Sequence, residues 1–160
     1  MTGSRQILLI GLGNTLLSDD GVGIYVVREI RKRVQRPEIA FHEASVGGLE
    51  LLDLIAGYER VIIVDAFKTG QSEVGSLLEL RPEDLAGGSA MTRHHVSLPE
   101  ALELGRQLGF HVPAEVKIYG IEVADSTTFH EQCTPVLQKR IPEIAREIIQ
   151  RERLPVQIQN

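Results

Sequence analysis

The stretch "ILLIGLGNTLLSDDGVGIYVVREIRKRV", Ile7 to Val34, decides the fold. It begins with four aliphatic residues, Ile7 to Ile10, and stops at Gly11. So short and unbroken an apolar run is the pattern of a strand covered on both faces. From Asp20 the period changes: Val22, Val26, Ile30 and Val34 fall four apart, on one face of a helix. Buried strand, glycine turn and amphipathic helix together open a parallel α/β unit. The turn itself, "GLGNTLLSDDGVG" (Gly11 to Gly23), poses a chemical question. It has the glycines of a phosphate cradle, yet it places Asp19 and Asp20 where a phosphate would lie.

Outward from this unit the alternation repeats. "IAFHEA" (Ile39 to Ala44) reads as a second strand after Pro37, and "GGLELLDLIAG" as a short helix closed by Gly57. "RVIIVDA" (Arg60 to Ala66) is a further strand buried on both faces, and "GSLLEL" (Gly75 to Leu80) another. Arg81 to Arg93 reads as irregular. "SLPEALELGRQLG" opens with a capping box, Ser97 capping and Glu100 reaching back. "EVKIYGIEV" (Glu115 to Val123) is the last strand. A final amphipathic helix follows, with Thr134 as its cap, Pro135 at its first position and a kink expected at Pro142. The tail after Leu154 is expected to fray. The alternation predicts an α/β fold, a three-layer αβα sandwich with a mainly parallel central sheet and helices on both faces. Ligands in such sheets bind at the carboxyl ends of the strands.

The 160 residues suit one domain, residues 1–160, and the formal net charge of −5 argues against a nucleic-acid partner. No apolar run reaches the roughly 18 residues that would span a membrane, and the N-terminus has no signal-peptide pattern. The one cysteine, Cys133, has no partner for an internal disulfide and reads as a small core residue. These features together point to the cytoplasm.

Three places can carry chemistry. The first is the opening turn. A dinucleotide fingerprint would need glycine where Leu16 stands, and the Walker Gly-Lys-Ser/Thr is absent. Two acids at a helix start are themselves stabilised as anions there, and a carboxylate held at a strand end makes a metal ligand or a catalytic base. Ser18 or Asp19 acting as a helix cap would explain one of these residues but not both acids. The second is Asp65, directly after the apolar run of "VIIVDA", at the carboxyl edge of a central strand. The third is "TRHHVSLPEAL", where His94 and His95 precede the helix; pattern alone does not choose between them.

At these residues the chain resembles a known family. "ILLIGLGNTLLSDDGVG", "GGLELLDLI", "VIIVDAF" and "HHVSLPEAL" are similar, in that order, to the motifs of the hydrogenase maturation endopeptidases. That resemblance implies an open α/β sheet and an endopeptidase that removes the C-terminal extension of a nickel-iron hydrogenase large-subunit precursor after nickel insertion. It implies metal binding through Asp20, Asp65 and His94; the residues themselves suggest Asp20 or Asp65 as a general base on water, or a metal held by the enzyme that activates the water. The metal it implies is nickel carried by the precursor, with zinc or cadmium able to take its place in a crystal. It further implies a monomer whose partner is the precursor, with no nucleic acid and no membrane. Gly47 and Gly48 of "SVGGLELL" are expected near the cleft. "HEAS" and "VADSTTFHEQCTP" depart from the family's usual glycine-rich forms, and there precursor choice is expected to differ. Neither "HExxH" nor Gly-x-Ser-x-Gly is present, so the chain is neither an ordinary zinc protease nor a serine hydrolase. Two other readings use the same residues: a nickel chaperone without protease activity, and a nucleotide- or cofactor-binding module of doubly wound fold.

Overall fold

The computed structural model describes residues 6–85 and 98–158. A sheet of five strands forms its centre, in the order β2-β1-β3-β5-β4. The strands are β1 (Ile7–Leu12), β2 (Ile39–Ala44), β3 (Arg60–Phe67), β4 (Leu77–Leu80) and β5 (Glu115–Glu122). β1, β2, β3 and β5 run parallel, with Leu9 level with Phe41 on one side and with Ile62 on the other. β4 pairs antiparallel with β5 at the edge, Leu77 opposite Ile121. The α/β sandwich expected from the alternation is therefore present, with one edge strand reversed.

Alternation along the strands divides the core in two. Leu9, Ile62, Val64, Tyr119 and Ile121 face α1 (Val22–Arg33) and α4 (Pro135–Arg151). Leu8, Ile10, Val61, Ile63 and Ile118 face α2 (Gly48–Ile55) and α3 (Leu98–Gln107). The helical stripe read from the sequence holds: Val22, Val26, Ile30 and Val34 are each fully buried. No helix among the described residues is long and apolar enough to cross a membrane.

Several local expectations are corrected. Neither Ser18 nor Asp19 caps α1 with its side chain; a short 3-10 turn, Ser18–Gly21, precedes the helix instead. Thr134 stands at the N-cap of α4 but makes no capping bond, because its hydroxyl is used elsewhere. Pro142 lies inside α4, as read from the sequence. The tail does not fray at Leu154: that side chain is buried, and the Gln157 N–H donates to the Arg33 carbonyl at 2.9 Å. Ser97, His94 and His95 lie outside the described residues.

At the amino edge of the sheet, the buried Glu152 just past α4 accepts from the Tyr119 hydroxyl and pairs with Arg60 and with Lys117 Nζ at 2.9 Å. An acid at a helix C-terminus opposes the helix dipole, and these two cations compensate it. The cluster pins the end of α4 to the start of β3 and β5, at the edge opposite the candidate site.

Candidate functional site

β1 lies between β2 and β3, and the chain leaves it in one direction and returns on the other side. The crevice where ligands collect in such sheets is therefore at the carboxyl ends of β1 and β3. The first turn and Asp65 both lie there. The glycines of the turn serve close packing. A Cβ on Gly23 would lie 2.2 Å from the Val64 carbonyl oxygen and 2.9 Å from that of Leu12, so only glycine lets α1 press onto the two central strands. Gly13 has φ +140, and a Cβ there would lie 2.0 Å from the Asp20 carbonyl oxygen.

This contact answers the question raised by the sequence. The Asn14 N–H, which would bind phosphate in a cradle, donates to Asp20 Oδ2 at 2.9 Å. The turn's anion is the chain's own carboxylate. Asn14 meanwhile accepts from the Leu16 N–H through its side chain at 2.9 Å, an Asx-type turn that holds the loop closed. With the Asp20 carbonyl and carboxylate folded back over the glycines, no phosphate cradle is left.

The two acids of the pair have different environments. Asp20 lines a cleft of about 380 Å³ together with Leu12, Gly13, Asn14, Leu17, Ser45, Val46 and Ser126. Asp19 is completely buried. Its Oδ2 accepts from the N–H groups of Ala124 and Asp125 at 3.1 and 3.0 Å, and its Oδ1 from the Thr134 N–H at 2.6 Å. The Thr134 hydroxyl adds a bond at 3.0 Å, and the Asp19 N–H donates to the Asp125 carbonyl at 2.8 Å. Asp19 is thus a buried carboxylate saturated by donors. Nothing in the local sequence announces this, since every donor lies more than a hundred residues downstream.

Asp65 follows Val64, whose carbonyl touches Gly23, and is 4% exposed. By alternation it shares the sheet face of Val61 and Ile63, the face of α2 and α3, and its Oδ1 accepts from the Ala66 N–H at 2.8 Å. The turn carrying Asp20 packs against β3. Asp20 and Asp65 are therefore brought to the same edge by contact between their elements. The helix that follows His94 in the sequence, α3, lies on the face that Asp65 shares. Among the described residues no group of three or more His, Cys, Asp or Glu is placed to hold a metal ion by itself. Gly47 precedes α2 and adjoins Val46 of the cleft wall, where it was expected. Ser45 and Ser126 of the lining were not anticipated, because small polar residues in loops carry no distinguishing pattern.

The segment that supplies Ser126 to the cleft also pairs with the first turn. Residues 16–18 and 128–130 form a narrow ribbon: His130 N–H to the Leu16 carbonyl at 3.0 Å, Ser18 N–H to the His130 carbonyl at 2.9 Å, and Ser18 Oγ to the Thr128 carbonyl at 2.8 Å. Ser18 has φ +50, a left-handed conformation for a non-glycine residue, which these bonds hold in place. Beside it Cys133 is buried; burial first, and the Asp19 charge second, push its thiol up to about 12. It is a core residue and not a nucleophile.

Comparison with known proteins agrees with this fold. The protein-family model described as hydrogenase maturation protease matches residues 24–151. The hydrogenase 2 maturation protease of Escherichia coli (strain K12) is 25% identical over 147 residues, covering 90% of this chain and 88% of that protein. Among solved structures, the hydrogenase maturating endopeptidase HybD from E. coli superposes with a TM-score of 0.78 at 24% identity, covering 92% of each chain. The [NiFe] hydrogenase maturation protease HycI from Thermococcus kodakarensis superposes with a TM-score of 0.67 at 21% identity, covering 93% of each chain.

Proposed function

The chain belongs to the hydrogenase maturation protease family, and from that premise we propose that it removes the C-terminal extension of a nickel-iron hydrogenase large-subunit precursor after nickel has been inserted. The observation that carries this reading is the placement of Asp20 beside a cleft, on a turn packed against β3, which carries Asp65 near its carboxyl end. Two carboxylates at one sheet edge, with an imidazole from His94, form a mixed O/N donor set that suits nickel or zinc better than magnesium. In this reading the nickel belongs to the precursor, and Asp20, Asp65 and His94 grip it from outside. Loading is thereby checked before the cut.

The peptide bond is then hydrolysed by general-base chemistry. Asp20, which lines the cleft, takes the proton of the attacking water. The water oxygen adds to the scissile carbonyl, the proton passes to the amide nitrogen, and that nitrogen leaves with the C-terminal peptide. Asp65, with Oδ1 fixed by the Ala66 N–H, acts from a set orientation on the other side. The site acts at the end of a folded partner, in the cytoplasm, and the protease works as a monomer.

The test is incubation with nickel-loaded and nickel-free precursor, followed by intact mass. The reading expects a shortened precursor only when nickel is loaded. A precursor of unchanged mass in both arms would overturn the protease reading and leave a nickel chaperone.

A further inference from the structure

We infer that Asp19 is a positioning residue for this reaction: it does not touch substrate but fixes Asp20 relative to the segment that carries Ser126 of the cleft. The inference rests on the proposed protease function and adds a role for the first acid of the pair. Asp20 and Ser126 both line the cleft. The two residues come from distant segments of the chain, which the ribbon of residues 16–18 and 128–130 ties together at Ser18. Asp19 adds a second tie, next to Asp20. Its carboxylate gathers the N–H groups of Ala124 and Asp125, just before Ser126, and that of Thr134, at the start of α4. Its own N–H returns to the Asp125 carbonyl. The joint therefore binds the residue next to Asp20 from both sides, by main chain and by side chain.

The chemistry of the joint requires a carboxylate. Both Asp19 oxygens face donors, Oδ2 two backbone N–H groups and Oδ1 the Thr134 N–H and hydroxyl. An asparagine has the same shape but would point an NH2 at one of these donor sets. Asp19→Asn thus opens one side of the joint without changing its volume. The Asp20 carboxylate is held on its other side by the Asn14 N–H, so loosening the joint loosens that bond as well.

The experiment pairs native-state amide exchange with single-turnover cleavage of nickel-loaded precursor. Asp19→Asn is expected to accelerate exchange at the Asn14 amide, which Asp19 does not touch, and to lower the cleavage rate. A misplacement of about 1 Å costs on the order of a hundredfold in rate, and the loss is expected to fall mainly on the rate and much less on the precursor concentration at half-maximal rate, because every substrate contact other than that of Asp20 is unchanged. Thr134→Val, which removes only the hydroxyl donor and keeps the N–H, serves if the first variant does not fold; its expected loss is about three- to tenfold in rate. An Asp19→Asn protein that is folded, cleaves at the wild-type rate and protects Asn14 normally would overturn the inference, as would a Thr134→Val protein with an unchanged rate. Wild-type protein that leaves the precursor intact would instead refute the protease reading, while the Asn14 exchange result would still decide whether Asp19 anchors the Asp20 turn.

Discussion

Replacing Gly23 with alanine probes the contact on which the whole site is built. The new Cβ would lie 2.2 Å from the Val64 carbonyl oxygen, whereas an ordinary contact begins at 3.4 Å. Helix α1 would have to retreat by roughly 1 Å, because the obstruction is backbone of a central strand and cannot rotate away. Overpacking of this kind costs about 1–3 kcal/mol, while alanine in a helix returns up to about 1 kcal/mol over glycine. A net loss of about 2 kcal/mol lowers the melting temperature by about 4–8 °C in a chain of this size. Gly105→Ala is the matched control. Its Cβ meets Leu52 Cδ1 at 3.0 Å and Val112 Cγ2 at 3.1 Å, the ends of side chains that can give way. It should stay within about 1 kcal/mol of wild type. Thermal and urea unfolding followed by circular dichroism would measure both. A Gly23→Ala protein as stable as wild type, or one less affected than Gly105→Ala, would refute the claim that these glycines exist for helix-to-sheet contact.

Other consequences follow from the buried charges. Glu152→Gln leaves Arg60 and Lys117 without their shared carboxylate; breaking such a pair should cost about 3 kcal/mol in urea unfolding, with precursor cleavage by the folded protein unchanged because the cluster is at the far edge of the sheet. Glu122 is buried, which by itself would raise its pKa, but the Thr69 hydroxyl and the N–H groups of Thr69, Ser72 and Gln71 hold it below the usual 4.5. A depressed carboxylate contributes stability above its unfolded pKa and loses it as pH falls through the folded value. Thr69→Val should therefore destabilise the protein at pH 7, with the gap to wild type closing in acid; a gap of constant size across an unfolding series from pH 7 downward would contradict this. Cys133, with its thiol pushed up to about 12, should resist iodoacetamide at pH 8 in the native protein and react once urea unfolds it, as intact mass would record.

The central strands β1 and β3 were legible because each is built on a short aliphatic run, and α1 because its valines and isoleucines repeat every four residues. The direction of β4 was not: "LLEL" carries no mark of parallel or antiparallel pairing, and its reversal shows only when it meets β5. Asp20 and Asp65 stood out as acids at strand ends, and the switch-point rule put them together. The division of labour within the acid pair was hidden, because what distinguishes Asp19 is a set of donors more than a hundred residues away. The same distance explains why Thr134, which does stand at the N-cap of α4, makes no capping bond. Its sequence position says helix cap, but a buried carboxylate is a stronger acceptor for its hydroxyl than any local group. The tail was misjudged for a similar reason, since Gln157 finds its acceptor at Arg33, at the far end of the chain.

The most direct test of the account is the single-turnover cleavage rate of a nickel-loaded precursor by wild type, Asp20→Ala, Asp65→Ala and the double variant, read by intact mass. Residues that act as one unit lose nearly everything on the first substitution. The account predicts that each single variant is folded and inactive and that the double is no worse. Wild-type cleavage by either single variant would remove that aspartate from the site and contradict the account.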